Sequence, residues 1–135
     1  MRRLSAVVFL GLLASPVMAD KSFPVPDPAY KAECGSCHVA YPARLLPPAS
    51  WRRLMASLDR HFGGAASLDA RAHEEISRYL AANAGRRAPP PGAEPRITAT
   101  RWFLKEHKGE IPPAKNPADC VACHAGAEQG NYDDD

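Results

Sequence analysis

The chain reads Cys34-Gly-Ser-Cys-His38 near one end and Cys120-Val-Ala-Cys-His124 near the other, and these two C-x-x-C-H runs use all four of its cysteines. The spacing has a chemical meaning. On a helical turn two thiols three residues apart face the same way and can reach the two vinyl groups on one haem edge, while the next residue turns its imidazole back toward the iron. Cys34 and Cys37 are thus expected to hold one covalent c-type haem, with His38 as its first axial ligand. Cys120 and Cys123 are expected to hold a second, with His124 in the same role.

Other uses of cysteine fit less well. A thioredoxin-like redox pair follows a strand in a mixed fold, and neither context is present here. A zinc site is possible by count, but it leaves the histidine after each pair unexplained twice. Two disulfides are the usual staple for a small exported protein, yet this spacing argues for haem.

The opening residues point to export. Arg2 and Arg3 precede an apolar run from Leu4 to Ala14, Pro16 breaks it, and Val17-Met18-Ala19 suits a cleavage site. This pattern predicts a secretory signal peptide over 1–19, removed after Ala19, because the run is too short for a comfortable membrane span. Loss of the two arginines takes the formal charge from +2 to zero over the remaining 116 residues. No basic face for nucleic acid is expected, and no remaining segment reads as transmembrane. The expected product is soluble and periplasmic.

Fourteen prolines and only four Phe, four Tyr and two Trp leave little for a polypeptide core. Two haems would supply the missing apolar plates. The expected fold is all-α, with short helices and long loops. It is expected to form two haem lobes, 20–85 and 97–135, separated by the Pro-rich linker RRAPPPGAEPR at 86–96.

Each iron has a second axial position, and the candidates are His61, His73, His107 and Met55. Over 50–62, Ser50 is a plausible cap, and Trp51, Leu54, Met55 and Leu58 share a face that His61 and Phe62 extend before Gly63-Gly64. In 67–84, Ser67 is the expected cap. Ala72, Ile76, Tyr79 and Leu80 make the apolar face, with Ile76 and Leu80 expected to cover a haem. His73 sits at the edge of that stripe, which suits a surface or capping role. In 100–109, Thr100 can cap a helix that sets Phe103 one turn before His107. Asp27-Pro28 and Asn116-Pro117 read as helix starts ahead of the two attachment motifs. The expected ligand pairs are local, His38 with His61 and His124 with His107, although the spacing leaves a crossed pairing open.

With these residues together, the chain resembles the small dihaem cytochromes c of proteobacteria, in particular those that partner the oxygen-binding sphaeroides haem protein. The resemblance rests on the two C-x-x-C-H motifs, on His61-Phe62-Gly63 with Ala66-Ser67-Leu68-Asp69, and on Arg101-Trp102-Phe103 with His107. It implies two covalent haems, each with two histidine ligands, and electron delivery to a monohaem cytochrome or other redox protein, with a membrane cytochrome b as a possible donor. Two imidazoles saturate each iron, so an electron carrier rather than an enzyme is expected. The rivals are a gas-binding or peroxidase-type protein with one open iron, and an electron-transfer subunit of a larger membrane-associated complex.

Overall fold

The computed structural model describes residues 22–113 and 115–133, so the expected signal peptide lies outside the described residues. The described chain contains four short α-helices, α1 (Pro28–Cys34), α2 (Pro48–Met55), α3 (Ala70–Asn83) and α4 (Arg101–Glu106). Single 3-10 turns lie at Ala43–Leu45, Leu58–Arg60, Ile97–Ala99, Cys120–Ala122 and Ala127–Gln129. Two isolated antiparallel bridges, Ser22 with Asn131 and His61 with Gly64, are the extended pairing among the described residues. The fold is a small all-α one with long connections.

Local chemistry sets the helix ends. Asp27 Oδ1 accepts from the Ala29 and Tyr30 N–H groups at 3.0 and 3.2 Å, and Pro28 opens α1. This is the expected start, since proline has no N–H to lose at the first helical position. Asn116 Oδ1 likewise accepts from Ala118 N–H, but only the turn at Cys120–Ala122 follows it, not a helix.

The helix expected over 50–62 is corrected at both ends. It begins at Pro48, and Ser50 is buried inside it rather than capping it. It stops at Met55 because Ser57 Oγ donates back to the carbonyls of Arg53 at 2.9 Å and Leu54 at 3.4 Å, closing the last turn. His61 therefore follows a separate 3-10 turn. In α3 the cap is Asp69 rather than Ser67: its Oδ1 accepts from the Arg71 and Ala72 N–H groups, both at 2.9 Å.

The main core joins α1, α2 and α3 around Tyr30, Leu46, Trp51, Leu54, Met55, Ile76 and Leu80. Trp51 can be buried because its Nε1–H donates to the Ala43 carbonyl at 2.7 Å. Ile76 and Leu80 are 0% and 1% exposed within this cluster. With their surface spent on protein neighbours they do not also cover a haem, which corrects that expectation. Thr100 caps α4 as expected.

A smaller cluster of Val39, Ala127 and Tyr132, flanked by Phe23, Tyr41 and Cys120, joins the two ends of the described chain. Phe23 N–H donates to the Gly130 carbonyl at 2.8 Å. Gly130 has a φ of +84°, and a Cβ there would strike the Phe23 carbonyl oxygen, so glycine is required on both counts. The proline-rich stretch 86–96 is stitched to the body. Arg53 donates to the Ala93 carbonyl at 3.1 Å, Arg87 lies 4.2 Å over the Trp102 ring, and Arg96 lies 3.9 Å over the Phe62 ring.

Candidate haem sites

At the first site Cys34 ends α1, and Cys37 and His38 follow in the bend beyond it. The His38 Nδ1–H donates to the neighbouring Val39 carbonyl at 2.7 Å. That bond fixes the tautomer and leaves the Nε2 lone pair free to bind a metal. His61 arrives from the turn after Leu58–Arg60, where Phe62 takes a positive φ of 50°. The His38 and His61 imidazole centroids are 6.2 Å apart, with planes 22° from parallel.

At the second site α4 delivers His107 immediately beyond its last residue. Its Nδ1–H donates to the Phe103 carbonyl at 3.0 Å, and its ring stacks on Phe103 at 4.1 Å. The turn at Cys120–Ala122 is closed by a 2.8 Å bond from His124 N–H to the Cys120 carbonyl, and the His124 Nδ1–H donates to the Asp133 carbonyl at 3.4 Å. The His107 and His124 centroids are 6.1 Å apart, with planes at 84°.

Both separations suit one metal between each pair. An imidazole–metal bond is about 2 Å, and a ring centre lies about 1 Å behind its ligating nitrogen, so opposed ligands have centroids about 6 Å apart. Among the described residues no three His, Cys, Asp or Glu side chains converge as a metal cluster. Two imidazoles per site would leave the rest of a metal's coordination to a bound group such as a haem. The donor set therefore fits haem and does not fit a protein-only tetrahedral zinc site.

The thiols agree with that chemistry. All four are free; Cys34 and Cys120 are half-buried, while Cys37 and Cys123 are exposed. Burial first, then the Glu33 carboxylate, pushes the Cys34 thiol up to about 11. Burial, then Asp119, pushes Cys120 up to about 11 as well. A dithiol exchange pair needs the opposite shift, toward thiolate at neutral pH.

His61 differs from the other three imidazoles, because its Nδ1 is buried without a hydrogen-bond partner. Burial, followed by the nearby His38 and Arg96, makes its ring harder to protonate. A cavity of about 330 Å³ opens beside it, lined by Arg53, Leu54, Ser57, Arg60, Phe62, Glu94 and Pro95. His73 stands apart from both pairs: its Nε2–H donates at 3.0 Å to the carbonyl of Met55, the last residue of α2. Met55 itself is core.

Two aromatic neighbours were not evident from the sequence. Tyr41 stacks on His38 at 4.5 Å with planes 15° apart, and Tyr132 lies 5.6 Å from His124. An aromatic residue three positions after the first motif is a faint cue for the former. Nothing in the spacing pointed to the latter.

A family model described as "Dihaem cytochrome c" matches residues 30–132. Two solved structures of the diheme cytochrome c from Rhodobacter sphaeroides are similar to this chain. One, of the protein purified from that organism, shares 43% identity with a TM-score of 0.71, and the other 42% with 0.72; each covers 82% of this chain and 100% of its own. A diheme cytochrome type c from Shewanella baltica shares 39% identity with a TM-score of 0.66, over 78% of this chain and 86% of that one. None of the curated proteins matches. Two close histidine pairs, two C-x-x-C-H motifs and a family match across nearly all the described residues agree: the chain belongs to the dihaem cytochrome c family, whose members are periplasmic electron carriers with two covalently bound c-type haems.

Proposed function

We propose that the protein carries single electrons through two bis-histidine centres, His38 with His61 and His107 with His124. In this reading Cys34 and Cys37 bond the first haem and Cys120 and Cys123 the second. The observation that carries it is the pair of imidazole separations, 6.2 and 6.1 Å.

Bound haem supplies a one-electron couple, and two imidazoles per iron favour the ferric state and leave no position for substrate. The chain does the rest. Three backbone carbonyls hold the Nδ1–H groups of His38, His107 and His124, so each ring presents Nε2 without rearranging between oxidation states. Phe103 and Tyr41 hold two of those rings in plane by stacking. Arg53 and Arg60 at the cavity beside His61 are suited to receive carboxylates such as haem propionates.

The same reading includes cleavage after Ala19 and haem lobes over 20–85 and 97–135 joined by 86–96. It also includes a monohaem cytochrome or other redox protein as acceptor, with a membrane cytochrome b as donor. Among the described residues no helix is long and apolar enough to cross a membrane. The acidic run Asp133-Asp134-Asp135 suits a basic patch on the partner.

The test is low-temperature electron paramagnetic resonance of the ferric holoprotein. Ligand planes at 22° and 84° give the two irons different fields, so two dissimilar low-spin signals are expected. His61→Ala should convert one to high spin, and His107→Ala the other. High-spin iron in the unmodified protein, or a single ligand variant affecting both signals equally, would sink the assignment.

A further inference from the structure

Tyr41 touches both candidate haem sites. Its ring lies parallel to the His38 imidazole, with centroids 4.5 Å apart. Its hydroxyl donates at 2.6 Å to the carbonyl of Ala118, two residues before Cys120 and 77 positions along the chain. Its own carbonyl accepts from the buried Tyr30 hydroxyl at 2.8 Å, which anchors Tyr41 to the α1 core. Around it, Val39 and Cys120 pack in the same small cluster as Tyr132. The segment 38–41 thus lies between the sites: the Val39 carbonyl accepts from His38, the Val39 side chain joins the cluster at the second motif, and Tyr41 reaches across.

We propose that Tyr41 is a positioning residue that couples the two haem centres, its ring setting the plane of the His38 ligand and its hydroxyl fixing the segment that delivers Cys120. The inference rests on the ligand and attachment assignment above. One side chain then sets both the orientation of an axial ligand at one iron and the placement of the thioether anchor of the other. An internal electron step depends on the separation of the two centres, and that separation is held here by a phenol rather than by the backbone alone.

Two variants of the holoprotein separate the ring from the hydroxyl. Tyr41→Phe keeps the stack and drops the tether; Tyr41→Leu drops both. Amide exchange over Asp119–Cys123 should rise about threefold to tenfold in both variants, the effect of losing one ordinary hydrogen bond on a local opening. The paramagnetic resonance g-values of the His38 haem should be unchanged in Tyr41→Phe and shifted in Tyr41→Leu, with the other haem's signal constant. After flash reduction, equilibration of the electron between haems should slow in both. Unchanged exchange in Tyr41→Phe overturns the tether, and unchanged g-values in Tyr41→Leu overturn the control of His38; either defeats the coupling. Where Tyr41→Leu does not mature, Tyr41→Val replaces it, and Tyr41→Phe still decides the tether. The ligand assignment has a separate readout, the two low-spin signals of the unmodified protein. The coupling is read as a difference between variants on that background, so the two can fail independently.

Discussion

Thr100 lies seven residues before His107, yet the hold on that proposed ligand should depend on it. Thr100 is 0% exposed, and its hydroxyl both donates to the Ile97 carbonyl at 2.8 Å and accepts from the Phe103 N–H at 3.2 Å. Thr100→Val keeps the shape and deletes both bonds, leaving a buried N–H without a partner at a cost of about 1–3 kcal/mol. A helix of six residues has no independent stability to absorb that loss. Opening of α4 carries away Phe103, which supplies both the stacking face and the carbonyl that accepts from His107 Nδ1. The population with His107 released should therefore grow about 5- to 150-fold. Stopped-flow uptake of carbon monoxide by the reduced holoprotein reads this directly, since an exogenous ligand enters only when a histidine leaves. The rate at the second haem should rise by that factor in Thr100→Val and stay near wild type in Thr100→Ser, which keeps the hydroxyl. Faster amide exchange in α4 with wild-type carbon monoxide uptake would show that His107 is held by something other than this helix, and would refute the reasoning.

Three further outcomes are expected. Leu80→Ala, which empties space between α2, α3 and Tyr30, should lower stability by about 2–5 kcal/mol in denaturant titrations while both low-spin signals persist; a loss of either signal would mean that the core and the sites are not separable. Burial holds the Tyr30 proton in the folded state well above the ordinary value of 10.0. Its stabilisation is full below pH 10.0 and is lost as pH rises above it, because the unfolded chain ionises first. Tyr30→Phe should flatten that alkaline decline and, by losing the bond to the Tyr41 carbonyl, cost about 1 kcal/mol near neutrality in thermal melts. A haem-free chain, made by replacing Cys34, Cys37, Cys120 and Cys123 with serine, should lose its cooperative helical melt by circular dichroism; a sharp transition would show that α1–α3 fold unaided.

What the sequence disclosed was local chemistry. Asp27 followed by Pro28, and Thr100 three residues before Phe103, are caps whose partners lie within a turn, so the starts of α1 and α4 were legible. The histidines to compare could be chosen because the attachment motifs are so specific and so few other histidines exist, and the structure brings His38 near His61 and His107 near His124. The end of α2 was not. The apolar stripe runs on to Leu58, but Ser57 can reach back to the Arg53 and Leu54 carbonyls, and that competing bond decides the boundary. Ser67 was the expected cap, but the Asp69 carboxylate two residues on accepts from two N–H groups and sets the start instead. Ile76 and Leu80 read correctly as an apolar face, but periodicity says that a face is covered and not what covers it. Tyr41 and Ala118 are joined across 77 positions, and such a contact leaves no periodic trace.

The bond from Phe23 to Gly130 has a consequence for how the chain is made. An exported polypeptide emerges from its membrane pore amino end first, so Phe23 and the first attachment motif reach the far side while Gly130 is still to come. Until Gly130 arrives, the contact that joins the two ends of the fold cannot form, and Cys34 and Cys37 are presented on an unclosed chain. Cys120 and Cys123 stand ten and seven residues ahead of Gly130, so the two ends can close only after the second motif has been delivered.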